Sequence, residues 1–280
     1  MRWQGGRQSG NIEDRRGRGG YGTVGGIGAV GVVAVLVGVF LFGEEPSVMI
    51  NAVTNGGQAE PVRGETADEA GRFVGAVETS TTDVWTPLFR QVGKTYTPSA
   101  GMVLYDGATP PGCGPGQAAM GPFYCPADRK VYLDLTFWNE LESRFGAAGD
   151  FARAYVIAHE IGHHVQNLRG ELSAPHGLRA QGDGGGQVRI ELQADCYAGV
   201  WAARTGAATA GEVDLEEGDI AEGLAAASAV GDDTIQRKTQ GRVVPDAFTH
   251  GTSDQRMRWF KRGYETGDPA QCDTFRAPAL

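Results

Sequence analysis

The chain has 280 residues, enough for one sizeable domain with appendages or for two small domains. Its formal net charge is −9, but residues 1–20 hold five arginines against two acidic residues, and the remainder holds 20 basic and 32 acidic residues. An acidic body repels phosphate, which argues against a nucleic-acid partner.

An uncharged, apolar stretch, VGGIGAVGVVAVLVGVFLFG, occupies residues 24–43. Twenty residues of helix span about 30 Å, which is the thickness of the hydrocarbon core of a bilayer. A cleaved signal peptide is the alternative, but its apolar region is usually about 7–15 residues long and ends in a small-residue cleavage site. The stretch here is longer and is followed by two glutamates. The sequence therefore predicts an uncleaved transmembrane helix.

The flanking charges predict the orientation of this anchor. Arginines precede it and glutamates follow it, so the positive-inside rule places the N-terminus in the cytoplasm. Residues 1–23 are predicted to be a basic, glycine-rich cytoplasmic tail, 24–43 a single-pass anchor and 44–65 a linker. Residues 66–280 would then form one extracytoplasmic domain.

The body is predicted to be mostly helical. A helical pattern of apolar residues begins near residue 67 and is expected to end or kink near Pro87 or Gly93. Two segments have strand composition, GMVLYDG at 101–107 and RKVYLDL at 129–135. The remaining predicted helices cover residues 135–146, 150–168, 187–204, 214–230 and, after a cap at Thr252 or Ser253, the segment SDQRMRWFKRGYE. The fold class is α+β, mostly helical, with a small β-sheet.

Four cysteines in an exported body suggest two disulfides. Cys113 and Cys125 flank the Gly/Pro-rich loop CGPGQAAMGPFYC, and a bridge between them would close that loop. This pairing leaves Cys196 to pair with Cys272, which would tie the C-terminus to a central helix. Four cysteines allow three connectivities, so the pairing is an inference. A cysteine-based zinc site is the competing interpretation, but the sequence has no C-x-x-C pair.

The stretch AYVIAHEIGHHVQ, residues 154–166, places polar side chains inside an apolar helical run. His159 and His163 are four residues apart, so a helix presents both imidazoles on one face, within reach of one zinc ion. Glu160 lies at the flank of that face, where a carboxylate can contact water bound to the metal rather than the metal itself. The alternative is a pair of buried histidines with satisfied hydrogen bonds and no metal.

A catalytic zinc ion needs a third protein ligand and an open position for water. The candidates are His164, His176, Glu191, Asp195 and His250. His164 directly follows His163 and turns about 100° away from it, and His176 lies in a short loop downstream. Glu191 is the preferred third ligand, because it lies on a second apolar-rich helix where a buried carboxylate needs a partner. Asp195, four residues later, would accept an N–H from a ligand histidine and fix its tautomer.

Several segments together resemble the putative neutral zinc metallopeptidase family of bacterial membranes, and the resemblance covers nearly the whole chain. They are HEIGHHVQ, RIELQADCYAGVW, YCPADRKVYLDL and THGTSDQRMRWFKRGYETGDPAQCDTF. The pattern HExxH with a downstream ExxxD is also similar to that of the wider glutamate-zincin group. The resemblance implies a zincin-like metalloprotease domain with one Zn²⁺ per chain. It implies His159, His163 and Glu191 as ligands, Glu160 as base and Asp195 as the support of a ligand histidine.

These expectations combine into a membrane-anchored zinc peptidase of the bacterial cell envelope that acts on peptide or protein substrates. Glu160 would take the proton of a zinc-activated water and pass it to the leaving amine. His250 is the candidate donor to the oxyanion, and Tyr155, Tyr197 and Arg256 are its rivals. By resemblance, the strand at 129–135 would pair with an extended peptide, although an ordinary core strand is the simpler interpretation.

Two other functions remain open. One is a non-catalytic, zinc-binding membrane scaffold, in which His164 or His176 would close the site as a fourth ligand. The other is a zinc amidase or deacylase that acts on cell-envelope material. Deformylase-type enzymes also use HExxH, but with a cysteine ligand upstream, for which Cys125 is the nearest residue.

Overall fold

The computed structural model describes residues 1–16, 62–64, 66, 68–106, 109, 112–113, 121–144, 146–172 and 181–280. Within them, a small sheet lies beside a larger group of helices, which agrees with the predicted helix-rich α+β class. No helix in these ranges combines the length and the apolar composition needed to cross a bilayer. The predicted anchor at 24–43 and most of the predicted linker at 44–65 lie outside the described residues.

The sheet has five short strands in the described ranges, β1 Ile12–Asp14, β2 Val62–Arg63, β3 Gly101–Tyr105, β4 Phe123–Cys125 and β5 Lys130–Asp134. Their order across the sheet is β2-β1-β3-β5-β4. The three central strands run parallel, and the outer strands β2 and β4 pair antiparallel to their neighbours. Strand β5, expected by resemblance to be free for a peptide, is therefore an interior strand, and β4 forms the edge.

Seven α-helices are described: α1 Glu69–Gln91, α2 Thr136–Ser143, α3 Asp150–Arg169, α4 Gly186–Ala208, α5 Asp219–Ala229, α6 Asp232–Gln240 and α7 Ser253–Thr266. Local sequence explains several of their ends. Asp68 caps α1 by accepting from the backbone N–H of Gly71, and Thr252 and Gln255 form a capping box at the start of α7. Helix α3 ends at Gly170, which adopts the left-handed conformation that glycine tolerates best.

Residues 1–16 are part of the same packed unit as the helices. Strand β1 pairs with β3 from Ile12 opposite Met102 to Asp14 opposite Leu104. Trp3 is buried, and its indole N–H donates to the carboxylate of Asp150, the first residue of α3. Its ring also packs edge-on against Phe73 of α1.

The pairing of β1 with β3 also bears on the predicted division of the chain. A membrane crossed once at 24–43 would separate a tail of residues 1–23 from a domain of residues 66–280, whereas β1 and β3 are hydrogen-bonded neighbours. The packed unit includes residues 1–16, and two strands of its sheet, β1 and β2, lie before residue 66. Strand β1 has three residues, two of them charged, so it lacks the apolar alternation from which a strand is predicted.

Both predicted disulfides are present, Cys113–Cys125 and Cys196–Cys272. The first lies beside edge strand β4, and the second ties α4 to the segment after α7. Close helix packing requires glycine at two positions near this second bridge. A Cβ on Gly263 would lie 1.9 Å from the carbonyl oxygen of Cys196, and one on Gly199 would lie 2.1 Å from that of Phe260. Helices α4 and α7 are thereby held in direct backbone contact.

Candidate metal centre

Two adjacent helices bring the predicted metal ligands together. Helix α3 carries His159 and His163, and α4 carries Glu191. A Cβ on Gly162 would lie 2.9 Å from the carbonyl oxygen of Ala194, so glycine between the two histidines allows the close approach of the helices. The HEIGHH sequence thus supplies both the ligand atoms and the space for their partner.

The three side chains have the spacing of a zinc site. Nε2 of His159 lies 3.2 Å from Oε2 of Glu191, and Nε2 of His163 lies 3.5 Å from the same oxygen. The ligand atoms all lie within 4.8 Å of one another. Tetrahedral zinc with bonds near 2.0–2.1 Å separates its ligand atoms by about 3.3 Å. The donor set and its spacing therefore fit zinc.

His159 has a carboxylate near each of its two ring nitrogens, an arrangement that requires a cation. Its Nδ1 lies 2.8 Å from Oδ1 of Asp195, while its Nε2 faces Glu191. A neutral imidazole offers one N–H donor and one lone pair, so it cannot donate to two carboxylates at once. A proton or a metal ion must therefore occupy the Nε2 side. Asp195 accepts from Nδ1 of His159, which leaves Nε2 on the side of Glu191.

His163 has a different partner, which sequence reasoning missed. Its Nδ1 lies 2.8 Å from Oε1 of Gln166, a buried residue one turn further along α3. The amide nitrogen of Gln166 donates to the carbonyl of Ile190 and to the side chain of Gln193. Gln166 stands three residues after His163 in the sequence, and that spacing is the signal by which it could have been found.

Glu160 is buried beside the cluster, close to the backbone of Tyr124 on edge strand β4. Burial raises the pKa of Glu160, and the nearby charge of Glu191 adds to this effect. The charges of His159 and His163 and the backbone of Tyr124 act in the opposite direction. A carboxylate with a raised pKa that is close to a metal site is suited to accept and then release a proton.

The ionisable groups of the cluster stabilise one another's charges. Burial by itself would raise the pKa of Glu191, but the histidines hold it well below its usual range. Burial of Asp195 is likewise outweighed by Arg256 and His159, which lower its pKa to about 2. Burial disfavours charge on His159, yet Asp195 and Glu191 raise its pKa to about 10. The carboxylates therefore remain anionic near neutral pH and attract a cation.

His250 lies in the loop before α7, close enough to Glu191 for their charges to interact. Asp232 holds this loop, because its carboxylate accepts the backbone N–H groups of Thr249, His250 and Gly251. Nδ1 of His250 lies 2.8 Å from Oγ1 of Thr249 and 3.3 Å from Oδ1 of Asp232. The side chain is 37% exposed. Burial lowers the pKa of His250, but the hydrogen bond with Asp232 and the charge of Glu191 raise it overall.

The structure removes several alternatives for the third ligand. Both ring nitrogens of His164 have other partners, the hydroxyl of Tyr124 and the carbonyl of Thr97. Asp195 binds Nδ1 of His159, not the Nε2 side where the ligand atoms converge. His176 lies outside the described residues. The cysteine ligand of the deformylase-type interpretation is excluded, because Cys125 is bonded to Cys113.

The rival oxyanion donors are also occupied. Tyr155 donates to Asp195, Tyr197 donates to Glu171, and Arg256 is buried against Asp195. Each of these groups satisfies an internal acceptor, so none of them is a free donor at the mouth of the site. His250 is the candidate among the four whose ring is partly exposed.

The comparisons with known proteins agree with this picture. The family model described as putative neutral zinc metallopeptidase matches residues 1–275. The "Uncharacterized protein YpfJ" of Escherichia coli K12 is 45% identical over 288 residues, which covers 98% of this chain and 99% of that protein. The "Uncharacterized protein Rv2575" of Mycobacterium tuberculosis H37Rv is 48% identical over 227 residues, which covers 77% of this chain and 75% of that protein. No solved structure matches the chain at a significant level.

Proposed function

The chain belongs to the putative neutral zinc metallopeptidase family, and on that premise we propose that it hydrolyses peptide bonds with one zinc ion per chain. The observation that carries the proposal is the convergence of His159, His163 and Glu191 on one point. Three protein ligands leave a coordination position for water, which is typical of catalytic zinc sites, whereas structural sites use four. Among the residues that the structure describes, the candidate zinc group consists of these three side chains.

The chain's own residues would divide the remaining work. Zinc supplies Lewis acidity, which acidifies water and polarises a carbonyl group. Glu160 takes the proton of the attacking water and gives it to the leaving amine. Glu160 is buried close to Tyr124 of edge strand β4, which supports this role because burial restricts the orientations open to a general base. Asp195 and Gln166 keep Nε2 of each ligand histidine turned toward the ion.

His250 is proposed as the donor to the developing oxyanion. The contacts with Thr249 and Asp232 are made through Nδ1. This leaves Nε2 as the donor for a substrate. The raised pKa of His250 favours the protonated ring, which is the better hydrogen-bond donor.

Edge strand β4 is proposed as the surface along which an extended peptide lies. It is the edge strand beside β5, and its Tyr124 packs against His164 of α3, the helix that carries Glu160. A peptide that added a strand there would bring its backbone beside the general base. This arrangement favours extended, unfolded segments as substrates.

A membrane location remains a proposal based on the apolar residues 24–43. Twenty uncharged residues support attachment to a bilayer. The pairing of β1 with β3 supports placing residues 1–16 on the same side of that bilayer as the zinc site.

The central test compares two carboxamide variants of the full chain. Glu160→Gln is expected to keep one zinc per chain by elemental analysis and to lose hydrolysis of an unfolded protein substrate. Glu191→Gln is expected to lose zinc. The matched control is Glu142→Gln, which changes an exposed glutamate of α2 and should behave as wild type. Retained hydrolysis in Glu160→Gln would overturn the assigned base.

Assays of the same purified wild-type chain distinguish the proposed peptidase from the two other functions. Hydrolysis of an N-acylated amino sugar without hydrolysis of peptides would favour the amidase or deacylase. Full zinc occupancy with neither activity would favour the scaffold, and zinc retained in Glu191→Gln would require another third ligand.

A further inference from the structure

The carboxylate of Asp195 is fully buried, and it joins His159 to a residue from the C-terminal helix. Oδ1 of Asp195 lies 2.8 Å from Nδ1 of His159. Arg256, on α7, donates from Nε to Oδ2 and from Nη2 to Oδ1, both at 2.8 Å. We propose that Arg256 is a positioning residue of the zinc site, which acts through Asp195 on His159. This inference rests on the proposed zinc site.

Geometry explains why an arginine is needed at this position. A carboxylate with one hydrogen bond can turn about its last side-chain bond, whereas two parallel N–H bonds from a planar guanidinium fix its plane. With that plane fixed, Oδ1 points at Nδ1 of His159. The imidazole then donates from Nδ1 and presents the lone pair of Nε2 on the side of Glu191, 3.2 Å away. Arg256 thus orients His159 indirectly, by fixing the carboxylate of Asp195.

Arg256 is itself held firmly. Its Nη1 donates to the carbonyl of Val230 at 3.2 Å, and its Nη2 lies 3.3 Å from the hydroxyl of Tyr155. Tyr155 donates to the same Oδ1 at 2.5 Å. The Arg256 side chain is 4% exposed, so water does not compete for these bonds. The carboxylate therefore has donors on three sides, and its position is set by the protein.

The placement of α7 against α4 makes this contact available. Gly199 and Gly263 allow the two helix backbones to touch, and the Cys196–Cys272 bridge ties α4 to the segment after α7. A buried ion pair alone would be an ordinary packing feature and contributes little net stability. The sharing of Oδ1 between Arg256 and a proposed zinc ligand is what gives this pair a further role.

The test measures the zinc dissociation constant of the full chain in competition with a chromophoric chelator. Arg256→Met is expected to weaken zinc binding about 10–100-fold, the usual effect of removing the partner of a metal ligand. Arg256→Lys keeps the charge but loses the two-pronged contact, so an intermediate loss is expected. In an Asp195→Asn background, Arg256→Met should add no further loss. The control is Arg262→Met, an exposed position on the same helix, with the wild-type constant expected.

Thermal unfolding of the metal-free variants identifies those that fold. A folded Arg256→Met protein with the wild-type zinc dissociation constant would overturn the inference. So would an Arg256→Met substitution that weakens zinc binding as much in the Asp195→Asn background as in the wild type. If Arg256→Met does not fold, the test uses Arg256→Lys instead, and a wild-type zinc dissociation constant in that variant overturns the inference. Normal zinc binding by Arg256→Met beside loss of zinc in Glu191→Gln would leave the proposed function standing. A wild-type chain that binds no zinc would overturn both.

Discussion

Nδ1 of His163 lies 2.8 Å from Oε1 of Gln166, on the next turn of the same helix. Both acceptors of the Gln166 amide nitrogen come from α4, namely the carbonyl of Ile190 at 2.8 Å and Oε1 of Gln193 at 2.9 Å. The amide oxygen must therefore face the imidazole, which then donates from Nδ1. Nε2 of His163 is left to meet the metal on the side of Glu191.

The first prediction follows from this contact. Gln166→Leu keeps an apolar side chain of similar size but cannot accept from His163, so the zinc dissociation constant should rise about 10–100-fold. The variant also leaves buried polar partners unpaired, at a cost of about 1–3 kcal/mol of folding stability. A chelator competition titration measures the binding, and Gln240→Leu at the exposed end of α6 is the control. An unchanged constant would show that Gln166 does not orient His163.

The second prediction concerns His250. His250→Ala should lower kcat about 10²–10³-fold, the usual loss when one oxyanion donor is removed, and should leave zinc content unchanged. Asp232→Asn should produce a smaller loss, because the amide nitrogen cannot accept from the backbone N–H groups that shape the loop. Steady-state kinetics with an unfolded protein substrate measure both variants, and Asp254→Asn, exposed on α7, is the control. Loss of zinc in His250→Ala would instead make His250 a ligand.

The spacing of residues within one helix can be predicted from the sequence, whereas contacts between distant segments cannot. The spacing of His159 and His163 on one helix, and of Glu191 and Asp195 on another, follows from the helical repeat, and the structure brings these four residues together. The helices that carry them, α3 and α4, are close to their predicted bounds. Both helices have a regular apolar pattern, which is the signal that sequence reasoning detects best.

The missed features depend on distant partners. Strand β1 is only three residues long and pairs with a strand about ninety residues later in the chain. Helix α6, DDTIQRKTQ, has almost no apolar residues and was not predicted. The orientation of Gln166 is set by groups on α4, which no local pattern contains. Tertiary contacts decide each of these features.

The third prediction concerns the compartment of residues 1–16. All four native cysteines are in disulfides, so single cysteines can be introduced at Gly5, where a side chain meets open space, and at Val92, which is 62% exposed. Because β1 pairs with β3, a membrane-impermeant maleimide should label both positions from the same side in intact cells and in inverted vesicles. The parent chain without added cysteine is the control. Labelling from opposite sides would contradict the pairing and restore the single-pass arrangement.

The fourth prediction concerns Glu78, which is buried on α1 and lines a cavity together with residues 9–11. Burial raises its pKa, although hydrogen bonds from Ser9 and Asn11 partly oppose this. The neutral form is therefore favoured in the folded state, and folding stability is lost as pH rises through the raised pKa. Glu78→Gln cannot ionise, so it should be more stable than wild type at pH 7 and should lose this advantage below the unfolded pKa of about 4.5.

Thermal unfolding of the two proteins between pH 4 and pH 8 measures this difference. Glu69→Gln, an exposed position in the first turn of the same helix, is the matched control substitution. Because Ser9 and Asn11 belong to the N-terminal segment, the effect also reports whether that segment covers α1. A Glu78→Gln protein with no gain at pH 7 would mean that water reaches the carboxylate, and that residues 9–11 do not bury it.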